Sequence, residues 1–237
     1  MTTQLGMFAK HWQPGTVKTR LATSIGNEAA AALHRHFVQT LLDRFQNIAD
    51  RHILCFAPAD SADSFRQLNL GCWTLEPQAS GDLGSRMQLY FSAALPAFPL
   101  PLPLGEGRGE GLATNNTPRH RTVLIGSDSP DLPLEYLAEA FDKLRDYPVV
   151  LGPTDDGGYY LVGLSQTVPP IFDNIPWSTP EVWPQTIARL TTAKIPYHTL
   201  PQWYDVDDIA DLRRLHDSLS PKVALYGKIS SLLTPDS

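Results

Sequence analysis

An apolar run that ends in carboxylates lies near the middle of the chain, at Val123-Leu124-Ile125-Gly126-Ser127-Asp128-Ser129-Pro130-Asp131. Its apolar part is typical of a buried strand. In an open α/β sheet, ligands bind beyond the carboxyl ends of the strands. The segment therefore predicts a central strand that holds Asp128 at the ligand-binding edge of a sheet.

Apolar runs and amphipathic stretches alternate on both sides of this segment, a pattern typical of βαβ units. Further strands are predicted at 4–9, 53–57, 72–75, 149–152, 159–163 and 197–200, and helices at 83–95, 134–145, 180–191 and 208–219. Another helix begins at Asn27, and its apolar positions have the three- and four-residue spacing of a core-facing stripe: Ala30, Leu33, Phe37, Leu41 and Phe45. We therefore predict an α/β fold with a mainly parallel, Rossmann-like sheet flanked by helices.

The composition fits one globular domain. The chain has 237 residues, 42% of them hydrophobic, which is enough to bury a substantial core. No window approaches the roughly 18 consecutive apolar residues of a membrane span, and the first residues lack a secretory signal. We expect a single domain over 1–237, no membrane span and a cytoplasmic location. Cys55 and Cys72 match no metal or redox spacing and are expected to be buried thiols.

The net charge of −6 argues against a nucleic-acid partner. The charge is unevenly spread, because residues 1–55 carry six Lys or Arg against three Asp or Glu and the remainder is −9. A basic beginning on an acidic protein favours an anionic ligand. Solvated helix faces would give the same pattern.

The segment 96–118 departs from the alternation. It holds five prolines and four spaced glycines with almost no apolar periodicity. Its Gly-x-Gly-x-Gly-x-Gly run precedes a strand and lacks the spacing of a dinucleotide fingerprint. We interpret the segment as a flexible, Pro/Gly-rich surface insertion.

A basic loop follows the first predicted strand, in Phe8-Ala9-Lys10-His11-Trp12-Gln13-Pro14-Gly15-Thr16-Val17-Lys18-Thr19-Arg20-Leu21. Gly15 would let a ligand approach the backbone closely, and Lys18 and Arg20 offer a point charge and a bidentate charge to phosphate oxygens. The alternative is a loop whose basic residues face water.

Carboxylates follow several predicted strands. Asp128 is suited to anchor a hard divalent cation, which prefers oxygen ligands. It could instead cap a turn, and Asp131 could cap the next helix. Two further acidic clusters are Gly152-Pro153-Thr154-Asp155-Asp156-Gly157-Gly158-Tyr159-Tyr160 and Tyr204-Asp205-Val206-Asp207-Asp208-Ile209, and the second could be a helix cap. Trp177-Ser178-Thr179-Pro180 is either a helix start or a substrate wall.

Six motifs occur in one order along the chain: Phe8-Ala9-Lys10 with Pro14-Gly15-x-Val17-Lys18-Thr19-Arg20-Leu21, Gly81-Asp82-Leu83-Gly84-x-Arg86-Met87, Ile125-Gly126-Ser127-Asp128-x-Pro130-x-Leu132, Asp155-Asp156-Gly157-Gly158-Tyr159-Tyr160, Trp177-Ser178-Thr179-Pro180 and Asp205-Val206-Asp207. Together they resemble the bacterial selenium-domain-associated or arsenosugar-biosynthesis glycosyltransferases, of the nucleotide-diphospho-sugar transferase superfamily. The resemblance covers most of the chain outside 96–118. It implies a single transferase domain of glycosyltransferase-A fold.

The resemblance also implies roles for individual residues. Donor phosphates would be bound by Lys10, Gly15, Lys18, Arg20, Gly81 and Asp82. The acceptor side would comprise Gly157, Gly158, Tyr159, Trp177 and Ser178. Asp128 and Asp156 would be catalytic, and Mg²⁺ or Mn²⁺ would be held by Asp128, Asp205 and Asp207.

The implied reaction is metal-dependent glycosyl transfer from a nucleotide sugar to a small acceptor. Two alternatives stay open. The same elements are similar, more distantly, to nucleotidyltransferases that join an NTP to a phosphorylated small molecule, including guanylyltransferases. The sequence Asp128-Ser129-Pro130-Asp131 favours this alternative because it is not the Asp-x-Asp of many glycosyltransferases. The third reading is a catalytically silent nucleotide-binding module.

Overall fold

The structure, a computed structural model, describes residues 2–95, 120–166 and 168–233. The strands are β1 (Thr3–Lys10), β2 (Arg51–Ala57), β3 (Trp73–Pro77), β4 (Arg121–Ile125), β5 (Val149–Pro153), β6 (Tyr159–Leu164) and β7 (Tyr197–Thr199). The helices are α1 (Thr19–Ile25), α2 (Asn27–Phe45), α3 (Ala62–Arg66), α4 (Leu83–Ala94), α5 (Leu134–Lys143), α6 (Val182–Thr192), α7 (Ile209–Ser218) and α8 (Ala224–Leu233).

The seven described strands form one sheet in the order β3-β2-β1-β4-β6-β5-β7. Neighbouring strands are parallel except at β6, which runs antiparallel to both β4 and β5. This confirms the predicted α/β class with a mainly parallel sheet. The reversal of β6 has a local consequence. The beginning of β6, at Tyr159, lies at the same edge of the sheet as the ends of β4 and β5.

The central strands are largely buried because helices cover the sheet from both sides, whereas the edge strands β3 and β7 are mostly exposed or half-buried. All five residues of β4 are buried. The predicted apolar stripe of α2 is also confirmed, since each of its members is at most 2% exposed: Ala30, Leu33, Phe37, Leu41 and Phe45. Leu41 and Phe45 pack against the sheet, whereas Leu33 and Phe37 pack against residues of α7 and α8, so the stripe serves two parts of the core.

Several details differ from the sequence predictions. The basic loop after β1 is shorter than expected, because helix α1 begins at Thr19 and takes in Arg20. Cys55 is a buried free thiol, whereas Cys72 is an exposed one, since it lies in the turn before β3. The helix predicted at 180–191 begins two residues later, at Val182, and has no side-chain cap.

The predicted insertion at 96–118 lies outside the described residues, so its flexibility stays a prediction. The same holds for the extent of a single domain over 1–237. Among the helices that the structure describes, none is long and apolar enough to cross a membrane.

Close packing of Tyr160 over the backbone of Gly152 predicts a measurable loss of stability on substitution. A Cβ at Gly152 would lie 2.3 Å from the Tyr160 ring, so Gly152→Ala should lower the free energy of unfolding by about 1–3 kcal/mol in urea denaturation. Gly126→Ala is the matched control, because a Cβ there meets nothing within 4 Å and stability should not change. Equal stability of the two variants would contradict the packing.

Candidate active site

A cleft of about 720 Å³ opens at the carboxyl ends of β1 and β4. The turn after β1, the end of β4 and the segment before α7 form one part of its wall, and the start of β6 with residues 177–178 forms another. The site residues predicted from the sequence that line it are Lys10, Lys18, Arg20, Asp128, Tyr159, Trp177, Ser178, Asp205 and Asp207. This is the position at which an open α/β sheet is expected to bind its ligand.

A buried ammonium group joins three segments of the wall. The Lys18 side chain is 3% exposed, and its Nζ forms an ion pair with Asp128 and lies 3.3 Å from Asp207 Oδ1. Burial by itself lowers the pKa of Lys18, but the attraction of the two carboxylates outweighs it and the pKa lies above its usual value. Lys18 is therefore a charged group that both aspartates hold in place.

The local backbone brings these groups together. Lys18 precedes α1 in a left-handed conformation, with φ 49°, which directs the chain from the β1 turn into the helix. Asp128 follows β4, and its carbonyl accepts a 2.9 Å hydrogen bond from Val206 N. Asp208 caps α7 by accepting hydrogen bonds from Ala210 N and Asp211 N. The cap that the sequence allowed in this cluster is thus Asp208, which leaves Asp205 and Asp207 facing the cleft.

His34, which was not among the predicted site residues, lies next to Asp128. Its Nε2 is 3.1 Å from the Lys10 carbonyl oxygen, which can only accept, so Nε2 carries the proton. Burial lowers the pKa of His34 below its usual value, so the ring is neutral at pH 7. Its Nδ1 is 3.9 Å from Asp128 Oδ1 and has no hydrogen-bond partner in the described part of the chain.

Asp205 differs from the other two carboxylates. Its Oδ1 accepts a 2.7 Å hydrogen bond from Ser129 Oγ. Burial and the nearby Asp128 raise the pKa of Asp205 to about 7. This carboxyl can therefore exchange a proton near neutral pH at the wall of the cleft.

Asp131 does not cap the next helix, as the sequence allowed. Helix α5 begins after Pro133 and has no side-chain cap. The Asp131 carboxylate instead accepts hydrogen bonds from Tyr204 Oη at 2.6 Å and from Trp203 Nε1 at 3.4 Å. It therefore holds the segment that carries Asp205 against the loop after β4.

Of the predicted phosphate-binding residues, Arg20 lines the cleft with 77% of its side chain exposed and its guanidinium 3.8 Å from Asp207. Lys10 is also exposed and lines the cleft. Gly15, Gly81 and Asp82 are not among the described lining residues. Asp82 caps α4 through Ser85 N, and Gly15 lies in an exposed turn at φ 79°.

The motif around Gly81 contributes to the cleft through Arg86, which was not among the predicted site residues. Its Nε donates a 2.9 Å hydrogen bond to the Gly81 carbonyl, and its NH1 lies 3.3 Å from Gln78 Oε1. Gln78 and Arg86 both line the cleft. The motif that begins at Gly81 includes Arg86 and was the signal in the sequence for that residue. No sequence pattern indicated Gln78 or His34.

The acceptor-side prediction divides in two. Tyr159, Trp177 and Ser178 line the cleft. The other two, Gly157 and Gly158, lie in the turn before β6 and are not among the described residues that line the cleft. Asp156 accepts hydrogen bonds there from Thr154 Oγ1 at 2.5 Å and from Gly158 N at 3.1 Å. A catalytic role for Asp156 stays a prediction, and its observed contacts shape the turn.

Gly157 connects this turn to the aromatic wall. It has φ 89°, and a Cβ at this position would lie 2.6 Å from the Pro180 backbone. Its carbonyl accepts a 2.8 Å hydrogen bond from Trp183 N. Gly157 therefore supports the segment that carries Trp177 and Ser178, although it does not itself face the cleft among the described residues.

The three carboxylates predicted to hold a divalent metal do not fit that role as they are arranged. Asp128 and Asp207 are paired with Lys18, and Asp205 accepts from Ser129. Within 2–95, 120–166 and 168–233, no group of three or more His, Cys, Asp or Glu side chains is placed to hold a metal ion. The Lys18 ammonium contacts both Asp128 and Asp207.

The fold and cleft define an α/β protein of the nucleotide-diphospho-sugar transferase and cytidylyltransferase fold. A family model described as "Uncharacterized protein conserved in bacteria (DUF2064)" matches residues 40–179, more than half of the chain. The chain belongs to this family. No curated protein matches its sequence.

Solved structures show the same architecture. One is described as a "putative nucleotide-diphospho-sugar transferase" from Desulfovibrio desulfuricans G20, with 31% identity and a TM-score of 0.81 over 98% of this chain and 95% of that one. A cytidylyltransferase from Leptospira borgpetersenii has 10% identity and a TM-score of 0.56, covering 98% and 92%. Rv0371c from Mycobacterium tuberculosis has 18% identity and a TM-score of 0.52, covering 92% and 99%. The latter two show the fold alone.

The Lys18 pairing predicts that Asp128 stabilises the protein without any ligand. Asp128→Asn keeps the side-chain shape but removes a charge that faces a buried ammonium, so the free energy of unfolding should fall by about 1–3 kcal/mol in urea. The control is Asp142→Asn, in an exposed ion pair with Arg145, which should change it by less than about 0.5 kcal/mol. An unchanged or higher stability of Asp128→Asn would contradict the pairing.

The raised pKa of Asp205 predicts a pH-dependent effect of its substitution. A carboxyl that titrates near pH 7 when folded and at 3.8 otherwise binds its proton more tightly in the folded state. Its contribution to stability is therefore lost as the pH rises from about 4 to 7. Asp205→Asn should raise the Tm relative to wild type more at pH 8 than at pH 5. Asp63→Asn, whose side chain is 91% exposed, should show no such trend, and a pH-independent difference for Asp205→Asn would contradict the assignment.

Proposed function

We propose that this protein transfers a group from a nucleotide-activated donor to a small acceptor, and that the reaction is glycosyl transfer from a nucleotide sugar. The observation that carries the proposal is that the two parts of the cleft wall differ in chemistry. Accessible cations, Arg20 and Lys10, lie at one part of its wall, and aromatic and hydroxyl side chains lie at another. A nucleotide sugar has the same two parts, an anionic diphosphate and a polar, uncharged sugar.

Arg20 is suited to the diphosphate, because a guanidinium binds phosphate oxygens in bidentate fashion. Tyr159 and Trp177 pack edge to face, with ring centroids 6.2 Å apart, and both line the cleft. Such rings provide rigid apolar contact area, and Ser178 beside them offers a hydroxyl to a sugar or acceptor. The likeness to the Desulfovibrio protein, at 31% identity over nearly the whole chain, supports the same class of donor.

Asp205 supplies a group that can accept a proton. Transfer to a hydroxyl acceptor requires that its proton leave, and a base is most effective when its pKa lies near the working pH. The Asp205 carboxyl, with a pKa of about 7, lies on the cleft wall beside Asp128. We assign it the role of general base, in place of the metal-binding role expected from the sequence.

Nucleotidyl transfer is the second candidate. The sequence Asp128-Ser129-Pro130-Asp131 favours it because it departs from Asp-x-Asp. In both reactions the cleft would stabilise charge on phosphates, either on the leaving diphosphate or on the attacked triphosphate. The narrower resemblance to selenium-associated or arsenosugar enzymes, and the cytoplasmic location, stay predictions.

The products distinguish these readings. The protein is incubated with each nucleotide sugar or NTP and a panel of small hydroxyl and phosphate acceptors, and the products are identified by mass spectrometry. Release of a nucleoside diphosphate supports glycosyl transfer, and release of pyrophosphate supports nucleotidyl transfer. If nucleotides bind but no transfer occurs with any acceptor, the silent binding module is supported. If none binds, the donor assignment is wrong.

Arg20→Ala is predicted to weaken binding of the nucleotide that binds wild type. Loss of a hydrogen-bonded charge should cost about 1.5 kcal/mol or more, which is roughly tenfold or more in Kd by titration calorimetry. Arg66→Ala is the matched control, since that arginine is 66% exposed and pairs with Asp63 away from the cleft. Equal affinity of Arg20→Ala and wild type would contradict the phosphate role.

A further inference from the structure

The carboxyl edge of the sheet carries a cation that the chain itself supplies. Lys18 Nζ is paired with Asp128 and with Asp207, 3.3 Å away. The lysine side chain is 3% exposed, whereas the two carboxylates are 40% and 41% exposed. The ammonium thus reaches the carboxylates from the protein side and leaves their other faces toward the cleft.

We propose that Lys18 is a positioning residue that takes the place of a divalent cation between Asp128 and Asp207, so that this pair of aspartates binds no divalent metal while the lysine is present. This inference goes beyond the proposed reaction. It assigns a constraint on the site that holds whichever group is transferred.

The charges around the pair support this assignment. Both aspartates pair with Lys18, and Asp207 has a second cationic partner, because Arg20 NH1 lies 3.8 Å from Asp207 Oδ2. The third carboxyl, Asp205, has its hydrogen bond from Ser129. A divalent ion seated between Asp128 and Asp207 would lie within a few ångströms of the ammonium, and like charges at that distance repel strongly. The ammonium therefore offsets charge on Asp128 and Asp207 that would otherwise attract a metal.

The position of Lys18 is also fixed by its neighbours in sequence. Val17 is 6% exposed and Leu21 is fully buried, so the backbone on either side is packed into the protein. Lys18 Nζ lies 5.9 Å from the centroid of the Phe37 ring on α2. Withdrawing the ammonium would either leave it unpaired over this ring or require the start of α1 to move. Both changes are costly, since a buried charge without a partner is strongly unfavourable.

Manganese alone is the probe for the test. Free Mn²⁺ is measured by electron paramagnetic resonance during titration of the full chain at pH 8. Wild type and Lys18→Arg should show no saturable Mn²⁺ binding that depends on Asp128. Lys18→Met should bind one Mn²⁺ saturably, at least about tenfold more tightly than the limit that the titration sets for wild type, because the repelling charge is gone and Asp128 and Asp207 no longer pair with Lys18. The double variant Lys18→Met with Asp128→Asn should lose this gain.

Several results would overturn the proposal. One is stoichiometric Mn²⁺ binding by wild type that Asp128→Asn abolishes. Another is a folded Lys18→Met that binds Mn²⁺ no better than wild type. Lys18→Gln serves as the second neutral variant if Lys18→Met does not fold, which circular dichroism and thermal melting establish before titration.

A second titration separates this proposal from the proposed function. Mn²⁺ binding to wild type is repeated in the presence of ADP, GDP, CDP and UDP in turn, with Asp128→Asn as the reference. Nucleotide binding with no Asp128-dependent Mn²⁺ supports both proposals. Absence of nucleotide binding overturns the donor assignment and leaves the result with Mn²⁺ alone unaffected. Mn²⁺ that binds only with a nucleotide and only with Asp128 intact overturns the role of Lys18.

Discussion

A buried ammonium group that requires partners sets the geometry of this cleft. Lys18 comes from the turn after β1, Asp128 from the end of β4 and Asp207 from the segment before α7. Taking a charge out of water is costly unless opposite charges accompany it, so these three segments are stable only when they meet. The cleft wall is therefore held together by the same side chains that face the ligand.

This arrangement divides the charged groups by task. Lys18 and Asp128 compensate each other, while Arg20 keeps most of its surface in water and stays available to an anion. Asp205 shares the cleft wall with these groups and accepts a hydrogen bond from the neutral Ser129 hydroxyl, while burial and the nearby Asp128 raise its pKa to about 7. Residues adjacent in sequence thus differ in chemistry because the fold gives them different partners.

Much of the fold and part of the site followed from the sequence. The α2 stripe and the β4 run are periodic or continuous apolar patterns, and burial is what such patterns report. Asp128 was placed correctly because a residue that ends a central strand must lie at the sheet edge. The antiparallel direction of β6 and the beginning of α1 at Thr19 were not predicted, since both depend on tertiary pairing. The Lys18 pairing spans 110 and 189 residues of sequence, which no local spacing encodes.

The most direct measurement is a double-mutant cycle between Lys18 and Asp128, in which wild type, Lys18→Met, Asp128→Asn and the double variant are unfolded in urea at pH 7. If the ammonium and the carboxylate stabilise each other, the double variant should lose less stability than the two single losses together, with a coupling free energy above about 1 kcal/mol. Additive effects, with a coupling below about 0.5 kcal/mol, would contradict the account, because each side chain would then be stabilised by something other than its partner.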